Sequence, residues 1–301
     1  MKNRLLLVTL LATALAAVSC GQRAAKVQAE AQRIYEARGI VRGINFAERN
    51  ITVEHEDIPD FMPAMTMPFD YRSQQEIDPL KAGDAIAFHL VVTDHTSWIE
   101  AVKKIDAASL ALPRPSQPAD PVVKVERLKE GDALPDFELV DDHSERITRA
   151  TFAGKPLLLT FIFTRCLIPN FCPLMSRNFS EIRKALAAQP APGNESVQYL
   201  SISFDPDYDT PERLAAYAGR IAPERANWRF ASGATDQISR LTKAFSVYVQ
   251  PESGTISHGL CTALIGADGT IQKMWRGNSW ETSEAVAAIR ALTPVLAGNA
   301  R

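Results

Sequence analysis

Residues 157–176 read LLLTFIFTRCLIPNFCPLMS. The run 157–163 is continuously apolar rather than alternating, the pattern of a strand buried on both faces of a sheet. Cys166 and Cys172 follow it, and Pro173 suits the first position of a helix. The stretch therefore reads strand, loop, helix. An α/β sheet presents its chemistry at the carboxyl end of such a strand. Cys172 falls near the helix N-cap, where partial positive charge favours thiolate. Thiolates take Cu(I), Zn(II) or a partner cysteine.

Outward from this segment, strands and helices continue to alternate. Residues 175–187 have helical character, and 198–204 (QYLSISF) form a second strand. Residues 211–221 read as a helix that Thr210 can cap. A further helix is expected at 237–245. The runs 260–265 and 270–275 flank Asp268-Gly269 as a hairpin, and 282–296 close the chain as an amphipathic helix. This order predicts an α/β, thioredoxin-like domain over 126–301. His258, just before a strand, is a third candidate ligand. Cys261 is expected to pack on a strand as a small apolar group, with a spare redox role as the alternative.

The first half differs. Short β-like runs punctuated by Gly, Asn and Asp between residues 39 and 105 predict a small all-β domain. A proline-rich stretch, LALPRPSQPADPV at 110–122, separates it from the α/β half as a stiff linker. Within the β half, the string from His55 to Met67 is the sharpest feature. Three of the six methionines, Met62, Met65 and Met67, fall in six residues. If the segment is extended, Met65 and Met67 project from the same face. Thioethers with an imidazole suit Cu(I), and they bind without losing a proton. His89 and His95 are read as strand or surface residues.

At the N-terminus, MKNRLLLVTLLATALAAVSCG has a basic start and an apolar run too short to span a bilayer comfortably. It reads as an export signal. Ala17-Val18-Ser19-Cys20 resembles the bacterial lipobox, which implies that Cys20 is lipidated and the protein anchored in the cell envelope, facing the periplasm. Cys166, Cys172 and Cys261 would then be the cysteines left for chemistry, in a compartment where disulfides persist. The expected organisation is a signal peptide (1–19), a tether (20–38), a β domain (39–108), a linker (109–125) and the α/β domain (126–301).

Composition sets limits. The 301 residues suggest about two domains. Lys and Arg total 33 against 35 Asp and Glu, a net charge of -2, which lacks the basic footprint of a nucleic-acid binder. Four cysteines are too few for a disulfide scaffold. The chain shows no phosphate-cradling glycine loop, no HExxH helix and no Ser/His/Asp order, so hydrolase readings have no residues to rest on.

Two resemblances sharpen these readings. HEDIP followed by MPAMTMPF resembles the CusF-like periplasmic copper-binding domain over about residues 39–105. It implies a small five-stranded, OB-like barrel binding Cu(I) through His55, Met65 and Met67. That family often has a capping Trp where this chain has Met62, so Met62 is expected to replace the cap, as an extra thioether. The strand–TRC–FCP–helix segment, then SFDPDYDTP at 203–211, then Ser257-His258 before a strand, is similar to the SCO/SenC family over about 134–295. That implies a thioredoxin-like fold, copper bound by Cys166, Cys172 and His258, and a role in assembling the dinuclear copper centre of cytochrome c oxidase, whose subunit would be the partner. The family spacing Cys-x3-Cys-Pro is here Cys-x5-Cys-Pro. Asp205 matches an acidic family position and is expected to orient the site or meet a partner.

Three functions follow as expectations. A metallochaperone would collect Cu(I) at Met65, Met67 and His55 and pass it to Cys166, Cys172 and His258, the short linker between the domains raising one site's effective concentration at the other. A thiol–disulfide oxidoreductase would use Cys166 and Cys172 to reduce one partner's cysteines. A copper-tolerance protein would store Cu(I) with no oxidase partner.

Overall fold

A computed structural model describes residues 31–112, 126–189, 196–224, 226–252 and 255–292. The export signal, Cys20 and the four linker prolines lie outside the described residues.

The β domain is an antiparallel sheet of β1 (Arg33–Asn45), β2 (Asn50–His55), β3 (Met65–Asp70), β4 (Ala85–Val92) and β5 (Ser97–Lys104), with a one-turn helix α1 (Gln74–Ile77) after β3. The strand order is β3-β2-β1-β4-β5, and the two edge strands approach at a parallel bridge between Tyr71 and Ile99. β1 starts inside the stretch expected as a tether. Arg33, Glu36 and Arg38 face solvent, while Ala37, Gly39 and Val41 face inward. The charges made this segment read as tether, whereas its alternation is that of a half-buried strand. The core is built from Ile51, Val53, Phe69, Phe88, Leu90 and Ile99.

The second domain carries a seven-stranded sheet in the order β14-β13-β8-β9-β10-β6-β7. Its elements are β6 (Glu138–Asp141), β7 (Arg146–Thr148), β8 (Leu157–Ile162), α2 (Cys172–Ala188), β9 (Gln198–Ser203), α3 (Pro211–Ile221), β10 (Trp228–Ser232), α4 (Thr235–Ala244), β13 (Cys261–Ile265), β14 (Ile271–Arg276) and α5 (Thr282–Leu292). A separate hairpin, β11 (Val249–Glu252) with β12 (Thr255–His258), precedes β13. β8 runs parallel to β9, and β9 to β10, while β13 joins β8 antiparallel. Every residue of β8 is buried, which is why 157–162 carries no polar alternation. Trp228, Tyr199 and Phe230 are wholly buried, and each contributes roughly 1.5–3 kcal/mol by leaving water.

Sequence reading passed over three strands of this sheet and the separate hairpin. β10 was expected as a connection between two helices, and β6, β7 and the β11–β12 hairpin are too short to show a period. Thr210 holds the N-cap position of α3, yet its side chain makes no capping bond; Pro211, which has no N–H, opens the helix.

Candidate metal centre

β8 ends one residue before Phe163, and the chain then turns through Thr164 and Arg165 into the cysteine loop. Buried Asp209 fixes that turn. Its carboxylate accepts the Thr164 N–H at 3.0 Å and the hydroxyls of Thr164 and Ser203. Asp205 lies one turn earlier and forms a salt bridge with Arg165 at 2.6 Å, while the guanidinium stacks over Tyr208. Asp205 therefore acts on the site through Arg165, the neighbour of Cys166. Asp209 was missed as a site residue; the Asp-x3-Asp spacing of 205–209 was its signal.

The loop returns to α2, which begins at Cys172 with Phe171 as N-cap, one position earlier than Pro173 alone suggested. The hairpin β11–β12 delivers His258 from the opposite side. The donor atoms of Cys166, Cys172 and His258 lie within 4.8 Å of one another. Cys172 Sγ is 3.6 Å from His258 Nε2. His258 Nδ1 is 2.9 Å from the Gly259 carbonyl. A carbonyl only accepts, so Nδ1 donates to it, and Nε2 is the ring nitrogen turned toward the sulfurs. Phe163, Phe171 and Phe204 wall the imidazole.

The two thiols differ. Burial works against ionising Cys166. Hydrogen bonding from Cys172, including its backbone N–H at the start of α2, and the nearby His258 imidazole outweigh it, and the Cys166 thiol falls well below its ordinary range. Burial and the adjacent Cys166 sulfur push Cys172 well above. The helix start does favour a thiolate, but on Cys166 rather than on Cys172. Cys261 is wholly buried on β13 and outside this cluster, and burial raises its thiol to about 11.

In the β domain, β2 and β3 pair His55 with Met65 and Val53 with Met67. Both methionines and His55 are buried on the inward face. His55 repeats the device of His258: its Nδ1 is 2.7 Å from the Glu56 carbonyl, which leaves Nε2 free. That Nε2 is fully buried with no hydrogen-bond partner among the described residues. A buried polar atom without a partner costs about 1–3 kcal/mol, and a soft ion on the lone pair would remove that cost. Burial also lowers the His55 pKa, keeping the ring neutral. Gly39 makes this placement possible. A Cβ there would come within 2.3 Å of the Glu54 carbonyl oxygen and 2.7 Å of His55 Cα.

Residues of both clusters, though neither His55 nor Cys172, line one cavity of about 70 Å³. Met62, Met65 and Met67 line one wall; Cys166, Phe171 and His258 line the other. Met62 is held by a tight turn that pairs its backbone with Ile58. His89 lies half-buried on β4 and His95 is exposed, both away from the cavity.

Residues 126–294, more than half of the chain, match the SCO1/SenC family profile. The chain belongs to the SCO1/SenC family. Ahead of the SCO1/SenC domain, residues 34–104 match the profile described as copper binding periplasmic protein CusF. The chain is 33% identical over 145 residues to the "Putative copper-binding protein" of Stutzerimonas stutzeri, covering 46% of this chain and 67% of that one. It is 28% identical over 145 residues to the SCO1 protein homolog of Bacillus subtilis, covering 47% and 72%. Among solved structures, a SCO1/SenC family lipoprotein from Bacillus anthracis aligns at 27% identity over 53% of this chain and 94% of that chain, with a TM-score of 0.49. No described helix is long and apolar enough to cross a membrane.

Proposed function

We propose that this protein is a copper metallochaperone of the bacterial cell envelope. It carries Cu(I) as cargo and supplies it for assembly of the dinuclear copper centre of cytochrome c oxidase, whose copper-bearing subunit is the partner. Membership of the SCO1/SenC family and the CusF match support the copper assignment. The observation that carries the site is the convergence of two sulfurs and an imidazole lone pair within 4.8 Å. That donor set suits a soft monovalent cation. A second site, His55 with Met65 and Met67 and with Met62 beside them, accepts Cu(I) without releasing a proton. Cu(I) is collected there and passed to Cys166, Cys172 and His258. A lipid on Cys20 holds the protein at the membrane, facing the periplasm.

A second reading rests on the unequal thiols. A low-pKa Cys166 beside a buried, protonated Cys172 suits attack on one partner disulfide. Cys166 thiolate would form a mixed disulfide and release one partner thiol. Cys172, giving up its proton, would then displace the second partner thiol and leave a Cys166–Cys172 disulfide.

Titration of the reduced mature chain with Cu(I) against a chromophoric chelator separates the two. Two ions bound, falling to one in Cys166→Ser/Cys172→Ser, supports the chaperone. One ion in both proteins confines copper to the methionines and leaves the cysteines as a reductant.

A further inference from the structure

The loop between the cysteines also holds the two domains together. Asn170, buried within it, accepts the Ser97 hydroxyl on Oδ1 at 2.6 Å. Its Nδ2 donates to Asp70 Oδ2 at 2.7 Å. Its backbone carbonyl accepts Asn278 Nδ2 at 3.0 Å. Ser97 opens β5 and Asp70 closes β3, three residues after Met67. One side chain of the cysteine loop therefore ties two strands of the β domain, and its backbone is anchored to its own domain.

Two further ties reinforce this one. Arg177 of α2 donates Nη2 to the His95 carbonyl at 2.6 Å and to the Pro169 carbonyl at 2.9 Å. Ser257, the neighbour of His258, donates its hydroxyl to the carbonyl of Thr66, which lies between Met65 and Met67. The cysteine loop, the helix that follows it and the histidine strand are thus each bonded to the β domain. The Cys-x5-Cys loop exceeds Cys-x3-Cys by two residues, and it is Pro169 and Asn170 of this loop that take part in the ties.

We propose that the Asn170 node is a latch that seats the methionine wall on the cysteine wall, so that both line one cavity and a soft monovalent cation passes between the two sites within a single chain. The proposal rests on the two-site reading above. The cavity of about 70 Å³ is lined by ligand residues of both sites, Met65 and Met67 on one wall and Cys166 and His258 on the other. The transfer is ligand exchange: thioether sulfur leaves as thiolate sulfur binds, the ion keeps its single charge, and the thiol proton of Cys172 passes to solvent.

The first variant alters the latch from the β side, away from every ligand. Ser97→Ala/Asp70→Ala removes both partners of the Asn170 amide. Asn170→Asp, nearly isosteric, sets a carboxylate against Asp70 as a second disruption. With reduced full-length mature protein, chelator competition first measures both Cu(I) affinities. Rapid mixing with one equivalent of Cu(I) then follows thiolate–Cu(I) absorbance at several protein concentrations. Hydrogen exchange of residues 93–97 in the metal-free protein reports docking independently. The latch predicts a first-order, concentration-independent transfer in the wild type. In both variants it predicts transfer at least about tenfold slower and faster exchange at 93–97, with affinities within about twofold of wild type in Ser97→Ala/Asp70→Ala. Wild-type transfer rates and exchange in both variants overturn the latch while leaving two copper sites intact. Absence of Cu(I) binding at the methionines in the wild type overturns the two-site reading and the transfer with it.

Discussion

His55 and His258 stand in unrelated folds, on an antiparallel β sheet and at the end of a hairpin beside a parallel one, and both are locked in the same way. In each, Nδ1 is bonded to the carbonyl of the next residue; Nε2 of His258 then lies 3.6 Å from Cys172 Sγ, and Nε2 of His55 is buried with no hydrogen-bond partner among the described residues. What differs is the sulfur. The β domain offers thioethers on a strand, which need no proton chemistry. The α/β domain offers thiols on a loop, one driven toward thiolate and the other away from it. The contrast gives the direction of transfer a physical basis, because a thiolate binds Cu(I) more strongly than a thioether does. It also means that each region should fail under conditions the other survives.

The largest separation comes from Cys166→Ser/Cys172→Ser, which abolishes thiolate–Cu(I) absorbance and leaves one bound ion at the methionines. The converse break is Gly39→Ala. The added Cβ collides with backbone beside His55, destabilising the β domain by about 3 kcal/mol. Chemical denaturation should show a lowered first transition, while the cysteine site still binds copper.

Acid separates the regions without mutation. Cys172 is protonated at neutral pH, so binding at the cysteines displaces its proton. Affinity there should fall about tenfold per pH unit as pH drops. The His55 pKa lies below 6.5, so the methionine site should hold its affinity between pH 7.5 and 6.5. Chelator competition on single-site variants at those two pH values checks both slopes. Asp209→Asn leaves fewer acceptors for Thr164 and Ser203. It should destabilise the α/β domain by about 1–3 kcal/mol, read by chemical denaturation. The smallest effect is expected of Met62→Leu. It preserves the packing volume and removes one thioether, weakening the methionine site about threefold and leaving the cysteine site unchanged.

How legible each region was in the sequence follows the same physics. The buried run 157–162, the strand 198–203 and the hairpin around Asp268-Gly269 announced themselves through composition and turn chemistry. The Met65/Met67 pair on one face followed from strand period alone. β1 was concealed by its outward charges, and β10 by being five residues between two helices. Asp209 was hidden because its partners, Thr164 and Ser203, come from different strand ends. Least legible was the contact between the halves. Asn170 meets Asp70 and Ser97 across 100 and 73 residues of chain, and no periodicity in either segment encodes that meeting.

The most direct measurement is anomalous diffraction at the copper edge from crystals of the reduced mature protein loaded with two equivalents of Cu(I). The account predicts two peaks on opposite walls of one cavity, one among His55, Met65 and Met67 and the other among Cys166, Cys172 and His258. A single peak, or two peaks with the walls turned away from each other, would contradict it.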